Sequence, residues 1–160
     1  MLIAQLKHHQ TRKEAMTNNL PPTSRSLPIA LIRAREGVMS PIRDMLNDTG
    51  ITEQQWRVLR VLSEQGPQDA STLAERASLL FPSLTRIAQT MRNKELITQT
   101  QDKTDRRRQM IAITKLGQNF IDNNAERAAQ IVLGFKSTLG EAQYEQLLDL
   151  LALLDPNDRP

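Results

Sequence analysis

Asp69-Ala-Ser-Thr-Leu-Ala-Glu-Arg-Ala77, a short break, and then Pro82-Ser-Leu-Thr-Arg-Ile-Ala-Gln-Thr-Met-Arg-Asn-Lys-Glu-Leu-Ile97 decide how this chain is read. The first run puts Leu73, Ala74 and Ala77 on one helical face, with Asp69 or Ser71 placed to cap it. Its small alanines permit close approach of a second helix. That helix is expected from about Phe81-Pro82 to Asn93, with Leu84, Ile87, Ala88 and Met91 inward. Pro82, Ser83, Thr85, Arg86, Gln89 and Asn93 are left largely on the opposite side. Ile97 to Gln101 is β-prone, Asp102-Lys-Thr-Asp-Arg-Arg-Arg108 is too charged to bury, and Met110-Ile-Ala-Ile-Thr114 returns as a second strand. Two short helices followed by a hairpin with a basic tip have the sequence form of a winged helix-turn-helix.

Such a unit lays its second helix in the major groove of double-stranded DNA and its wing over the adjacent backbone or minor groove. The outward Ser, Thr, Arg and Gln side chains suit phosphates and base edges. The expected DNA contacts are therefore Pro82, Ser83, Thr85, Arg86, Gln89 and Asn93 on the helix, and Lys103, Arg106, Arg107 and Arg108 on the wing. Arg86 is placed to pair with guanine and Arg107 to approach the minor groove. Asp105 is expected to orient Arg107 and not to touch DNA, because a carboxylate beside phosphate repels.

Charge distribution agrees with a localised contact. The net charge is only +3, yet residues 81–110 hold seven Lys/Arg against three acids. After Thr114 the balance reverses, with four basic residues facing seven acidic ones. A basic centre beside a mildly acidic helical region fits phosphate contact at one place.

Composition narrows the rest. Aromatics are 3% of the 160 residues, so the core must come from Leu, Ile, Val, Met and Ala, which suits helix packed on helix. The absence of cysteine removes disulfides, thiol catalysis and cysteine-ligated zinc. His8 and His9 sit together in the N-terminal tail, so no metal site, cofactor or acid–base cluster is expected. Asp102 and Asp105 lie on a solvated turn without an apolar pocket or a base partner, which argues against an enzyme. No apolar run approaches membrane-spanning length, and a cytoplasmic protein is expected.

Taken in order, residues 1–26 read as a flexible basic arm with Met1 and Met16 both possible starts. Residues 27–50 form an N-terminal helix opened by Ser26-Leu-Pro28, with a stripe of Leu31, Val38, Ile42 and Leu46. Pro41 is expected to kink or divide it. Residues 51–114 form the DNA-binding unit. Its first helix begins at a capping box, Thr52 with Gln55, flanked by Ile51 and Trp56 as a hydrophobic staple. Residues 115–155 hold a long helix, with Leu116, Phe120, Ile121, Ala128, Ile131 and Phe135 apolar, and a last helix from Gly140. Leu147, Leu148, Leu150, Leu151, Leu153 and Leu154 exceed what that last helix needs to cover its own domain, which points to a homodimer. The fold class is mainly α: a winged helix-turn-helix with N- and C-terminal dimerisation helices and a small β-hairpin wing.

Arg35 falls on the apolar stripe of the first helix. A guanidinium there needs an anionic partner, either a protein carboxylate or the carboxylate of a bound ligand.

The chain resembles the MarR family of bacterial winged-helix repressors in four places. These are Pro82-Ser83-Leu84-Thr85-Arg86, Asn93-Lys-Glu-Leu-Ile97, Asp105-x-Arg107 and Ile113-Thr114-x-x-Gly117, and the likeness covers roughly residues 27–154. Ile32-Arg-Ala-Arg-Glu-Gly-Val-Met39 and Thr52-Glu-Gln-Gln-Trp-Arg57 are similar to the subgroup that controls homoprotocatechuate degradation. Phe81 and Arg86 depart from that subgroup's pattern. The resemblance implies a repressor released from DNA by a small aromatic carboxylic acid. It also implies an effector cavity between the dimerisation helices and the reading head, for which Arg35, Trp56, Arg57 and Phe81 are the candidate residues. A ligand-independent winged-helix regulator and a protein-interaction module are the competing functions.

Overall fold

The computed structural model describes residues 22–101 and 108–155. Most of the arm, and Lys103, Asp105, Arg106 and Arg107 of the wing, lie outside the described residues. The chain divides into two units between Ser40 and Pro41.

The first unit holds a 3₁₀ turn, Thr23–Arg25, and most of helix α1, Leu27–Leu46. The Ser26 carbonyl accepts from Ala30 N at 2.9 Å and so opens the helix where the sequence places its start. Leu27, Leu31, Ile32 and Val38 stay exposed. Pro41 does not divide α1, which runs through it to Leu46. A proline removes a single backbone donor, and the helical bonds on either side carry the element past it.

The second unit is built on α2, Glu53–Gln65. Thr52 Oγ1 accepts from Gln55 N at 3.2 Å, and Gln55 Oε1 accepts from Thr52 N at 3.1 Å, the reciprocal box its spacing predicts. Ile51 and Trp56 are buried in one core with Val58, Leu59 and Leu62. Trp56 meets Phe120 edge-on, with ring centroids 6.1 Å apart. Gly66 ends α2 at φ 74°, a conformation open to glycine without strain.

A two-residue strand β1, Gln68–Asp69, follows and was not expected. Then come α3, Ala70–Arg76, and α4, Phe81–Asn93. Leu73, Ala74 and Ala77 on one side and Leu84, Ile87, Ala88 and Met91 on the other are all buried, as helical spacing requires. The wing strands are β2, Ile97–Gln101, and β3, Gln109–Ile113, antiparallel from Ile97 opposite Ile113 to Gln101 opposite Gln109. β1 adds to the other edge of β3, giving the order β1-β3-β2. Helices α5, Lys115–Leu139, and α6, Glu141–Ala152, complete the chain. Leu116, assigned to the apolar side of α5 by spacing, is exposed in the first turn, whereas Ile121 is buried. No residue of α6 is buried; its leucines at 147, 148, 150 and 151, and Leu153 and Leu154 just beyond it, are exposed in the single chain.

Helix α4, the wing and α5 meet at Leu96. Its N–H donates to Met91 O at 3.0 Å, and its carbonyl accepts from Thr114 N at 3.1 Å. Thr114 Oγ1 donates to Glu95 O at 2.7 Å and accepts from Gly117 N at 3.0 Å, capping α5. A Cβ on Gly117 would lie 2.3 Å from Leu96 O and 2.8 Å from Ile113 Cγ1. This glycine therefore serves close approach, not backbone freedom. Gly117→Ala is expected to cost at least about 1–3 kcal/mol, the usual range for overpacking. Urea unfolding followed by circular dichroism measures it, and a change below a few tenths contradicts the packing described.

Candidate nucleic-acid interface

Burial of one side of α4 leaves the other side outward. Pro82, Thr85, Arg86, Gln89 and Asn93 are exposed, while Ser83, four residues before buried Ile87, sits half-buried on the flank. Pro82, Thr85, Arg86 and Gln89 line a groove of about 1090 Å³ together with Phe81, Arg92, Gln99, Arg108 and Gln109. The groove thus joins the outer face of α4 to the base of the wing. Gln89 Nε2 donates to Asn93 Oδ1 at 3.1 Å, and Arg92 donates to Gln89 Oε1. Two amide side chains are in this way pre-set along the face. Among the described residues the Arg86 guanidinium has no hydrogen-bond or ion-pair partner, so its fork stands ready for one.

Arg108 has one. Its Nη2 lies 3.1 Å from Asp69 Oδ2, while Asp69 Oδ1 accepts from Ser71 N and Thr72 N, each at 3.1 Å. Thr72 Oγ1 donates to Asp69 Oδ2 at 2.8 Å. The two hydrogen bonds from Thr72 hold the Asp69 carboxyl below its ordinary value of 3.8, with Arg108 a smaller contributor. One carboxylate caps α3 and anchors the end of the wing. Arg76, beside it, donates to Gln68 Oε1 at 2.8 Å and stiffens β1.

Within the second unit, Trp56, Arg57 and Phe81, all expected around a ligand, have different surroundings. Phe81 lies in the groove of the reading face. Arg57 Nη1 donates to Ser78 O at 3.2 Å and so holds the turn between α3 and α4, where Ser78 adopts φ 50°. Its Nε is buried and has no hydrogen-bond partner among the described residues. Arg35 is exposed and belongs to the first unit. Trp56 walls a second, open hollow of about 560 Å³ with Ile42, Ala125, Ala128, Ala129, Val132 and Leu133, and Arg60 and Lys136 also line it. The sequence carried a signal for Arg60, which is one helical turn after Trp56 and on its side of α2. Lys136 comes from a helix eighty positions away, and nothing local marks it. Lys136 Nζ lies 2.6 Å from Glu141 and 3.2 Å from Glu145, which raise its pKa above the ordinary 10.5. It also sits 5.2 Å from the Tyr144 ring centre. Arg60 is only 4.0 Å from Glu64, a looser pairing on the surface.

A family model described as MarR family matches residues 51–108. The chain is 36% identical over 129 residues to the HTH-type transcriptional regulator FarR of Neisseria gonorrhoeae, covering 81% of this chain and 88% of that protein. It is 35% identical over 126 residues to the homoprotocatechuate degradative operon repressor of Escherichia coli, covering 79% and 85%. Its fold is similar to that of NadR crystallised with 4-hydroxyphenylacetate. That match has a TM-score of 0.74 and 35% identity, over 84% of this chain and 97% of the other. Among the described residues no helix is long and apolar enough to cross a membrane.

Asp69→Ala removes both the cap and the wing anchor, and is expected to cost about 1 kcal/mol at neutral pH. Asp69→Asn keeps an acceptor but loses the charge, and should cost less. Because the folded pKa is depressed, the charge contributes fully above the unfolded value near 3.8 and is lost as pH falls through the folded value. The gap between wild type and Asp69→Asn should therefore be level from neutral pH to about pH 4 and close below it. Urea unfolding at a series of pH values measures this, and a gap that is unchanged in acid removes the charge from the account.

Proposed function

Because the chain belongs to the MarR family, we infer that it is a homodimeric repressor of a pseudo-palindromic operator, released by a small aromatic acid. The observation that carries the DNA reading is the two-sidedness of α4. Its inner side is buried to the last apolar residue, and its outer side shares one groove with the cationic base of the wing. Arg86, whose guanidinium has no partner among the described residues, is assigned to guanine, and Gln89 and Asn93 to acceptors and donors alongside it. Arg107 is assigned to the minor groove and Asp105 to orienting it, with Lys103 and Arg106 on phosphate.

A single reading head meets one half-site, so a second copy is needed for tight binding. Exposed leucines along α6 and the exposed Leu27, Leu31, Ile32 and Val38 of α1 are the apolar surfaces such a copy would cover. Leu147→Asp with Leu151→Asp is expected to give a monomer by analytical ultracentrifugation that loses tight binding to a two-half-site duplex. The half-sites are one turn apart, roughly 34 Å. A monomer of undiminished affinity contradicts the arrangement.

For the effector, the hollow beside Trp56 offers an apolar and aromatic wall lined also by Arg60 and by Lys136, the latter already held by Glu141 and Glu145. That is the chemistry of an aromatic carboxylate site. Arg60, loosely paired, is assigned to the carboxylate, which guanidinium holds with two parallel bonds. A ligand there stabilises the conformation that does not fit DNA and so releases it. Thermal shift against a panel of hydroxyphenylacetates and benzoates should raise the melting temperature of the wild type. The rise should disappear in Arg60→Ala while operator binding persists, and Arg35→Ala reports separately whether that arginine takes part. No shift with any aromatic acid makes the protein a ligand-independent regulator.

A further inference from the structure

Two large apolar side chains stand in solvent where the reading helix begins. Leu80 is 78% exposed and Phe81 52%. Their neighbours behave otherwise: Leu79 packs against the core and Leu84 is buried within it. Leu80 holds the N-cap position of α4, where a Ser, Thr, Asp or Asn side chain would accept from the first turn. It makes no such bond. Folding stability gives no reason for either residue.

Position does. Phe81 lines the groove with Pro82, Thr85, Arg86 and Gln89. Thr85 Oγ1 donates to the Phe81 carbonyl at 3.2 Å, which occupies that hydroxyl within the helix. The outermost side chains at the start of the face, Leu80 and Phe81, are therefore apolar, Thr85 keeps only its lone pairs to offer, and the first charged donor is Arg86. In a major groove the N-terminal residues of the reading helix contact base edges, and the 5-methyl group of thymine is the apolar feature displayed there. An aromatic ring set against phosphate gains nothing, whereas against a methyl group it removes apolar area from water.

We propose that Phe81, with Leu80 beside it, reads the 5-methyl group of thymine at the half-site position facing the start of α4. This rests on the DNA-binding reading above. The selectivity is for thymine over cytosine at that base, and it is independent of the guanine assigned to Arg86.

The full-length protein is first used to enrich binding sites from a random duplex library. Each thymine of the enriched half-site is then replaced singly by deoxyuridine, which keeps the base pair and removes only the methyl. Wild type should lose about four-fold in affinity at one thymine or two adjacent ones, the worth of one buried carbon group. Phe81→Ala should bind the thymine duplex more weakly and bind thymine and deoxyuridine equally at that position. Because the ring is exposed, the variant should melt as the wild type does. Tolerance of deoxyuridine everywhere by the wild type overturns the proposal, as does an undiminished methyl effect in Phe81→Ala; the DNA reading survives both. Enrichment of no sequence at all overturns the DNA reading and this proposal together.

Discussion

The backbone carbonyl of Leu96 is the point on which the second unit depends. It accepts from Thr114, and so closes the wing hairpin onto the end of the reading helix. It also lies where any side chain at residue 117 would stand, so α5 begins there only because residue 117 is glycine. Glu95, in the left-handed region at φ 57°, turns the chain out of α4 in time to make this contact, and its carbonyl accepts from the Thr114 hydroxyl. Three elements are therefore registered by a few hydrogen bonds inside five or six residues. Displacing α5 must move the wing and the end of α4 with it, since interiors packed this closely transmit shifts and do not absorb them.

The same logic explains the division of labour along α4. Met91, Leu84, Ile87 and Ala88 leave no room for rotation about the helix axis, which would drive Arg86 or Gln89 into the core. Arg57 holds the preceding turn at Ser78, and Asp69 fixes α3 from its other end. The outer face is thus presented by packing that owes nothing to DNA. What varies without cost to the fold is the outer set, and that is where Phe81 and Arg86 stand.

Much of this was legible in the amino-acid order because it is local. The Thr52–Gln55 box, the inward faces of α3 and α4, and the paired wing strands are all set by spacings of three, four or two residues. Strand β1 escaped because two residues carry no period, and its partner lies some forty positions on at Met110 and Ile111. The Arg108–Asp69 pair escaped for the same reason, and Arg108 was assigned with the rest of the wing tip. The sequence groups Arg57 and Phe81 with Trp56 only through the effector cavity that the family resemblance implies. In three dimensions α2 turns Arg57 toward Ser78, while the outward start of α4 carries Phe81 into the reading groove. Lys136 was invisible, since only the packing of α5 beside α2 brings it near Arg60. Local pattern sets which faces exist; which of them meet is decided by packing.

The small sheet has a further consequence, for how the protein behaves when crowded. A sheet edge of unpaired N–H and carbonyl groups is a template on which another chain can polymerise. Here one edge is β1, two residues long and directly preceded by Pro67, and the other is β2, whose Thr98, Gln99, Thr100 and Gln101 are polar. Both are shorter than a fibril-forming segment, which takes about six or seven residues. Among the described residues most of the exposed large apolar side chains lie on helices, whose backbone bonds are already made. The described sheet therefore gives another chain little template for open-ended β stacking.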